Sequence, residues 1–201
     1  MTDYFELLRQ SRKPWLEEDQ LKQIFLSISS NIHPDRSHHL SVEKKAEAGK
    51  RFSELNSAYN CLRDPKERLR HLLELERGSK PADVQSVSTH LMEWQFKMAN
   101  LCREADRVLM TKTSGMSPIL KVRAFESAQA QIEQLQEFQD AISKQKEELF
   151  TRLRRMNEAW ISPATADVLI DIEEIYRALG YFFRWSSQLQ DRIVQLNLQC
   201  I

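Results

Sequence analysis

The residues His33, Pro34 and Asp35 bring an imidazole and a carboxylate together on either side of a proline. A histidine and an aspartate two positions apart resemble the parts of a general acid–base pair, but no nucleophile, metal-ligand set or glycine-rich phosphate loop accompanies them. Such residues also occur in ordinary turns, where aspartate often follows proline. A third role is recognition, because a loop carboxylate can form a charge-assisted bond with an arginine of a partner. We therefore expect no catalytic residues here.

Two helical patterns position these three residues. Between Glu17 and Ile32, apolar residues recur at the spacing of one helical face. Pro34 lacks a backbone donor and disfavours helical geometry in the residue before it, so the helix ends and a loop begins. A second helix is predicted from Ser41 to Arg63, with an apolar stripe of Phe52, Leu55, Ala58, Tyr59 and Leu62. Two antiparallel helices joined by a loop should result.

Shorter helices flank this hairpin. Residues 3–9 form a brief amphipathic pattern with Asp3 as its cap, and this helix must dock on another element to be stable. Asp64 and Pro65 supply a cap and a first-turn proline for a helix rich in leucine, which Gly78 ends. We therefore predict one domain over residues 1–77 and a linker over residues 78–84.

Three longer helices follow, and they predict an antiparallel three-helix bundle over residues 85–201. Their apolar residues alternate steps of three and four, as in the seam of a helical bundle. The second of these helices runs from about residue 119 to residue 160, and Ser162 with Pro163 begins the third. The predicted seam of the third helix is Leu169, Ile172, Tyr176, Leu179, Phe183, Leu189, Ile193 and Leu196.

Composition supports an all-α fold and excludes several classes of function. The chain has 201 residues, 41% of them hydrophobic, and only four glycines, so it should fold around real cores and consist almost entirely of helix. Its 29 basic and 29 acidic residues balance, which predicts neither a nucleic-acid partner nor an anionic membrane partner. No apolar run is long enough to span a membrane. We expect a soluble monomer.

Three cysteines, Cys61, Cys102 and Cys200, lie far apart and lack the paired spacing of a zinc site or redox motif. We interpret them as unpaired thiols of a reducing compartment. The first ten residues have no signal-peptide or transit-peptide pattern, so the sequence predicts a cytoplasmic protein. It also predicts no bound metal and no cofactor.

With these elements in place, the N-terminal region resembles the J domain, whose members stimulate the ATPase of DnaK-type chaperones. The loop His33-Pro34-Asp35 lies between two amphipathic helices, and the second helix ends in Asn56-Ser57-Ala58-Tyr59-Asn60-Cys61-Leu62-Arg63-Asp64-Pro65, similar to the family's N-x-A-Y-x-x-L-x-D-P ending. The resemblance implies that the chaperone contacts His33, Pro34, Asp35 and Arg36. Lys22, Lys44 and Lys45 are the further cations expected to meet an acidic surface of the ATPase.

Within that family the whole chain looks most similar to the HscB type, the co-chaperones of iron-sulfur cluster assembly. The resemblance rests on Asp3-Tyr4-Phe5, the leucine-rich helix after the J core, and the bundle. It implies that the bundle binds an iron-sulfur scaffold protein, which supplies the cluster ligands. By this resemblance Leu91-Met92-Glu93 matches the binding patch of the first bundle helix, and Tyr181 matches the aromatic of the last.

The patch can also be argued from helical spacing. Leu91, Trp94 and Met98 satisfy the seam, whereas Met92 and Phe96 form a second apolar pair rotated away from it. Tyr181 and Trp185 do the same on the last helix. Such a surplus is either additional core or an exposed binding surface. The predicted scaffold-binding residues are Leu91, Met92, Trp94, Phe96 and Tyr181.

Two departures from the family pattern leave alternatives open. The helix before the loop carries Lys22 as its lone cation between residues 20 and 32, where the family usually has several. Gln95 also stands where the family tends to have another apolar patch residue. The chain could therefore be a J-domain co-chaperone with a different client, or a helical adaptor with a weakened J domain.

Overall fold

The computed structural model describes residues 2–32, 42–81, 89–111, 115 and 117–199, which form seven α-helices. Their bounds are Tyr4–Leu7 (α1), Glu18–Ile32 (α2), Val42–Arg63 (α3), Pro65–Arg77 (α4), Thr89–Leu109 (α5), Pro118–Glu158 (α6) and Ala166–Gln199 (α7). The predicted all-α fold is confirmed. Packing groups the chain into two units, Met1–Ala82 with Thr151–Tyr176, and Asp83–Phe150 with Arg177–Ile201.

Helix α1 of the first unit is only four residues long and depends on its cap and its buried side chain. The Asp3 carboxylate accepts hydrogen bonds from the backbone N–H groups of Phe5, at 2.9 Å, and Glu6, at 3.2 Å. These bonds satisfy donors that have no partner within the helix. Phe5 and Leu8 are fully buried and α1 packs against α3, so the predicted docking of this helix is confirmed.

Helix α4 begins and ends as its sequence predicts. The Asp64 carboxylate accepts a hydrogen bond from the Glu67 N–H at 3.0 Å, and Pro65 occupies the first turn. Gly78 follows the helix with φ +69°, a left-handed conformation that glycine adopts without steric cost. Three leucines of α4 are fully buried in the unit's core: Leu69, Leu72 and Leu73.

The first unit also includes the end of α6 and the beginning of α7, which the sequence-based boundaries had assigned to the bundle. Polar contacts tie α4 to this segment. The Glu76 carboxylate accepts from the Ser162 hydroxyl at 2.8 Å and the Ala164 N–H at 2.9 Å. Arg77 donates to the carboxylate of Glu173 and to the Leu169 carbonyl. Residues 151–176 therefore pack with the N-terminal segment, although they continue the bundle helices in sequence.

The second unit is built from α5, most of α6 and the later part of α7. Trp94 contacts Phe138 while Gln131 bonds to the Leu101 carbonyl, so α5 and α6 run antiparallel. Gln139 bonds to Gln190, and Lys146 lies over the Phe183 ring, which makes α7 antiparallel to α6. The core residues are Leu91, Met98, Ala105, Ala128, Ile132, Leu135, Phe138, Ile142, Phe182, Trp185, Leu189, Ile193 and Leu196.

The seam of α7 differs from the predicted one in its middle. Tyr176 and Phe183 are only half-buried, whereas Phe182 and Trp185 lie in the core. The buried residues Phe182, Trp185 and Leu189 keep steps of three and four, but they start one position earlier than Phe183. Because consecutive aromatic residues occupy 181–183, periodicity alone could not decide which of them faces inward.

Candidate partner-binding surfaces

The loop residues His33, Pro34, Asp35 and Arg36 lie outside the described residues, which include the helices on either side of them. Helix α2 ends at Ile32 and α3 begins at Val42. The two helices pack together, with Leu21 on α2 and Leu55 on α3 each 1% exposed. The segment that carries His33 and Asp35 therefore connects two packed helices.

An aromatic pair supports this hairpin at mid-length. The rings of Phe25 and Tyr59 stack with their centroids 4.2 Å apart, and the Arg63 guanidinium lies 5.7 Å from the centre of the Tyr59 ring. Tyr59 belongs to the N-x-A-Y sequence, so that sequence supplies a packing residue of the hairpin. Offset ring stacking adds specific geometry to ordinary apolar burial.

The three cations predicted to meet the chaperone are all exposed, but Lys22 lies on α2 and the two on α3 do not share one helix face. Lys22, Lys44 and Lys45 each present their side chains to solvent. Lys44 and Lys45 are consecutive, so they point about 100° apart around the helix. Further along α3, the exposed Arg51 bonds to Glu47 at 2.6 Å. The positive charge of α3 is therefore distributed around the helix.

The exposed face of α2 is mostly neutral. Ser30 and Asn31 direct their side chains to the Ser27 carbonyl, at 2.9 and 3.0 Å. Leu26 is 54% exposed on the same helix. The charged residues of α2 are Glu18 and Asp19 in its first turn and Lys22 after them, so the helix lacks the positive field of a lysine-rich helix.

A buried histidine, which the sequence did not single out, joins α4 to the start of the chain. His71 is 3% exposed, and its Nε2 accepts a hydrogen bond from the Tyr4 N–H at 3.1 Å. Its ring stacks on Tyr4 at 4.6 Å and lies beside Phe5 at 5.9 Å. Burial is the largest influence on its pKa and lowers it below the usual 6.5. The neutral imidazole is the form that can accept the Tyr4 bond.

Arg68 is a second buried polar residue that sequence reasoning missed. Its guanidinium donates to the Pro14 carbonyl at 3.0 Å and the Leu62 carbonyl at 2.9 Å, and it lies 5.4 Å from the centre of the Trp15 ring. Burial is the largest influence on the pKa of this guanidinium and lowers it to about 10. The available signal was position alone, because Arg68 comes four residues before Leu72 on the inward face of α4. It holds the loop before α2 against the helix.

On the bundle, two of the predicted scaffold-binding residues belong mainly to the core. Leu91 is 5% exposed. Trp94 packs against the core with its ring 5.4 Å from Phe138 and 5.8 Å from Phe182. Both residues lie on the seam of α5, so they offer a partner little accessible surface.

Met92 and Phe96 are exposed, which decides between the two alternatives that their spacing left open. Met92 is 55% exposed and Phe96 is 69% exposed. Tyr181 is half-buried against the bundle core, with its ring 5.6 Å from that of Trp185. Trp185 itself is 5% exposed, so the apolar surplus on α7 is partly core. Exposed apolar residues spaced one turn apart are typical of a protein-binding surface.

The position of Tyr181 relative to α5 follows from two contacts between α5 and α7. The Trp94 ring contacts the Phe182 ring near one end of the two helices. Further along, Arg192 donates two hydrogen bonds to the Asp106 carboxylate, from Nε to Oδ1 at 3.0 Å and from Nη2 to Oδ2 at 3.1 Å. The two helices therefore run parallel and side by side. Tyr181 lies at the level of the exposed pair on α5.

Other chemistry is poorly supported by the described part of the chain. Burial raises the pKa of the Cys61 thiol from 9.0 to about 11 and also raises the pKa of Cys102, so neither is an activated thiolate. Among the described residues, no group of three or more histidine, cysteine, aspartate or glutamate side chains is arranged to hold a metal ion. Within those same residues, every helix is too short or too polar to cross a membrane.

Comparison of the sequence with known proteins gives two kinds of match. The DnaJ domain family matches residues 3–71. Curated relatives include the co-chaperone protein HscB homologues of Azoarcus, 28% identical over 46% of this chain and 55% of that protein, and of Bordetella pertussis, 31% identical over 49% of this chain and 56% of that protein. The match therefore spans about half the length of these HscB relatives.

Solved structures share the fold. The chaperone HscB from Vibrio cholerae superposes with a TM-score of 0.66 at 16% identity, covering 100% of both chains. Human co-chaperone protein HscB gives a TM-score of 0.64 at 19% identity over 94% of this chain and 81% of that one. The chain therefore carries a DnaJ-domain match over residues 3–71 and shares the overall fold of HscB proteins.

Proposed function

We propose that this chain is a co-chaperone that stimulates the ATPase of a DnaK-type chaperone and delivers a client protein held by its bundle. The client we propose is an iron-sulfur cluster scaffold protein. The observation that carries the proposal is the position of His33-Pro34-Asp35 between two packed helices of a DnaJ domain. We propose residues 1–77 as the chaperone-binding part and expect no catalytic turnover by the chain itself.

The proposed contact with the chaperone has a simple chemistry. The Asp35 carboxylate would pair with an arginine of the ATPase, and such a bond is short and strong because both groups are charged. Pro34 limits the conformations of the loop and so lowers the entropy lost on binding. His33 and Arg36 supply further donors, and Lys22, Lys44 and Lys45 supply positive charge at longer range.

The client would bind where Met92 and Phe96 are exposed beside Tyr181. Met92 and Phe96 are each more than half exposed. Their burial by a partner would remove apolar surface from water and so favour binding. Tyr181 adds a rigid ring with a polar tip. Leu91 and Trp94 support this surface from the core and are proposed to position it.

Single-turnover ATP hydrolysis by the chaperone from the same organism tests the first half of the proposal. We expect His33→Gln and Asp35→Ala each to reduce stimulation by about tenfold or more, because each removes a bond to a charged partner group. Asp140→Ala is the matched control, since it removes an exposed carboxylate of α6 in the bundle. The proposal is wrong if the two loop variants stimulate as well as the control.

One observation favours a second function, that of a helical adaptor whose J domain stimulates weakly. The exposed face of α2 is mostly neutral, and the cations of α3 are distributed around that helix. Electrostatic attraction would then accelerate association with the chaperone only weakly. Wild-type protein that binds a client but accelerates ATP hydrolysis by less than about twofold would support the adaptor.

A further inference from the structure

The outer faces of α5 and α7 carry two matched stripes of residues. On α5, Met92, Phe96, Ala99 and Arg103 follow the spacing i, i+4, i+7, i+11, and all four are exposed. Residues with this spacing share one helix face. The core residue Met98 is rotated well away from that face of the helix. Ala99 has a small side chain, so the middle of the stripe leaves room for a bound segment to approach the helix.

The stripe on α7 has the same spacing and consists of Arg177, Tyr181, Arg184 and Gln188. The Arg184 guanidinium lies 5.6 Å from the centre of the Tyr181 ring. The hydrogen bond from Arg192 to Asp106 joins the two helices immediately beyond Arg103 and Gln188. The two stripes, called here the paired stripes, therefore lie side by side where α5 meets α7.

The charge of the paired stripes has one sign. Their exposed charged residues are two arginines, Arg103 and Arg184, whereas Arg177 is half-buried, and no stripe residue is a carboxylate. Helix α7 carries no acidic residue at all between Ile175 and Gln190. The whole chain has a formal net charge of zero, so this local positive charge is a property of the surface.

The acidic residues of α5 do not cancel this charge on the stripe itself. Glu93 and Glu104 each follow a stripe residue by one position, so they point about 100° away around the helix. Glu104 also bonds to Arg107 at 2.8 Å. Asp106 comes one turn after Arg103, and two donors of Arg192 already engage its carboxylate.

We infer that the paired stripes bind a client segment that combines apolar side chains with carboxylates. This inference deepens the proposed function, on which it rests, by naming the chemistry of the bound segment. Met92, Phe96 and Tyr181 would contact its apolar residues. Arg103 and Arg184 would pair with its carboxylates and reject basic segments, since like charges brought together oppose binding.

Binding of labelled peptides to the full chain tests the inference by fluorescence anisotropy. The first probe is a twelve-residue peptide with leucine, phenylalanine and four glutamates, and its twin has glutamine at each glutamate. We expect the acidic probe to bind about tenfold tighter than the twin at low salt. The difference should shrink in about 0.5 M salt, because salt screens exposed charges.

Two variants separate the charged and apolar contributions. Arg184→Glu should lower the affinity for the acidic probe by about tenfold and leave the affinity for the glutamine twin unchanged. Phe96→Ser should lower the affinity for both probes by about fivefold or more. Lys144→Glu is the matched control, because it reverses an exposed cation of α6 and changes the net charge by the same amount. It should bind both probes as wild type does.

Equal binding of the two probes, or equal weakening by Arg184→Glu and Lys144→Glu, would overturn the inference. Titration with the iron-sulfur scaffold protein of the same organism separates it from the proposed function. A scaffold that binds wild type and Arg184→Glu equally leaves the proposed client in place but removes the charge selectivity. If the scaffold does not bind while the acidic probe behaves as expected, the inference holds and the proposed client is wrong.

Discussion

A single buried imidazole links the start of the chain to α4. Its Nε2 accepts the Tyr4 N–H, and protonation would replace that acceptor with a second donor. Two carboxylates, Asp3 and Glu74, favour the charged form, but burial has the larger effect and lowers the pKa of His71. His71 therefore takes up a proton less readily in the folded chain than in the unfolded chain, where its pKa is 6.5.

The first prediction at this scale concerns pH. Because the folded pKa of His71 lies below the unfolded one, the unfolded state binds more protons as the pH falls through about 6.5. The free energy of unfolding should then decrease from pH 7.5 to pH 5, by at most about 1.4 kcal/mol per pH unit from this residue. Above pH 7.5 the contribution is constant. Urea unfolding at several pH values measures it.

The control for this prediction is His71→Gln, whose amide oxygen can accept the Tyr4 bond but does not titrate. The difference in unfolding free energy between wild type and His71→Gln should narrow as the pH falls. Parallel pH profiles for the two proteins would contradict the role assigned to His71. The histidines elsewhere in the chain affect both proteins equally, so they cancel in the comparison.

Single residues also show what sequence patterns could and could not predict here. Met92 and Phe96 were predicted to face away from the seam, and both are exposed, because helical spacing decides which side of a helix a residue occupies. Arg68 and His71 were missed. Each is polar and yet buried, and each bonds to a backbone group far away in sequence. No local sequence pattern could therefore predict its burial.

At the scale of elements, helix α4 depends on its first turn. The Asp64 carboxylate accepts the Glu67 N–H at 3.0 Å in front of Pro65. We predict that Asp64→Ala lowers the free energy of unfolding by about 1 kcal/mol, because the donor loses its partner. Asp64→Ser keeps an acceptor at the cap and should recover most of the loss. Thermal unfolding followed by circular dichroism measures both variants, and equal values for alanine and serine would contradict the role of the cap.

Helices were predictable where three signals agreed, namely apolar spacing, a capping residue and a terminating glycine or proline. Helix α4 has all three, and its predicted and observed bounds agree closely. The inward face of α7 was less predictable because Tyr181, Phe182 and Phe183 are consecutive aromatics. Which of them is buried depends on the neighbouring helices, and Phe182 is selected by its contacts with Trp94 and Trp185.

At the scale of the whole molecule, structural units do not coincide with continuous stretches of sequence. The first unit combines Met1–Ala82 with Thr151–Tyr176. Periodicity predicted α6 and α7 as uninterrupted bundle helices, and as helices they are uninterrupted. It could not predict that their facing ends pack with the J domain, because one helix can contribute buried residues to two cores. Leu153 and Ile172 are fully buried in the first unit.

This arrangement leads to a prediction about truncation. A fragment ending at residue 82 keeps the DnaJ-domain match but loses residues 151–176, including the partners of Glu76, Arg77 and Trp15. We predict that this fragment unfolds at a lower urea concentration than the first unit of the full chain. The loss should be roughly 3 kcal/mol or more, because several hydrogen bonds and apolar contacts disappear together. Hydrogen exchange of α4 in both proteins measures the difference.

The substitution Glu76→Gln in the full chain is the milder comparison, because it removes one charge from the contact and leaves residues 151–176 in place. It should cost about 1 kcal/mol and leave the protection of α3 close to that of the wild type. If the fragment protects its α4 amides as well as the full chain does, residues 151–176 do not stabilise the J domain. The boundary predicted from sequence at residue 77 would then describe the folding unit better than the grouping seen in the structure.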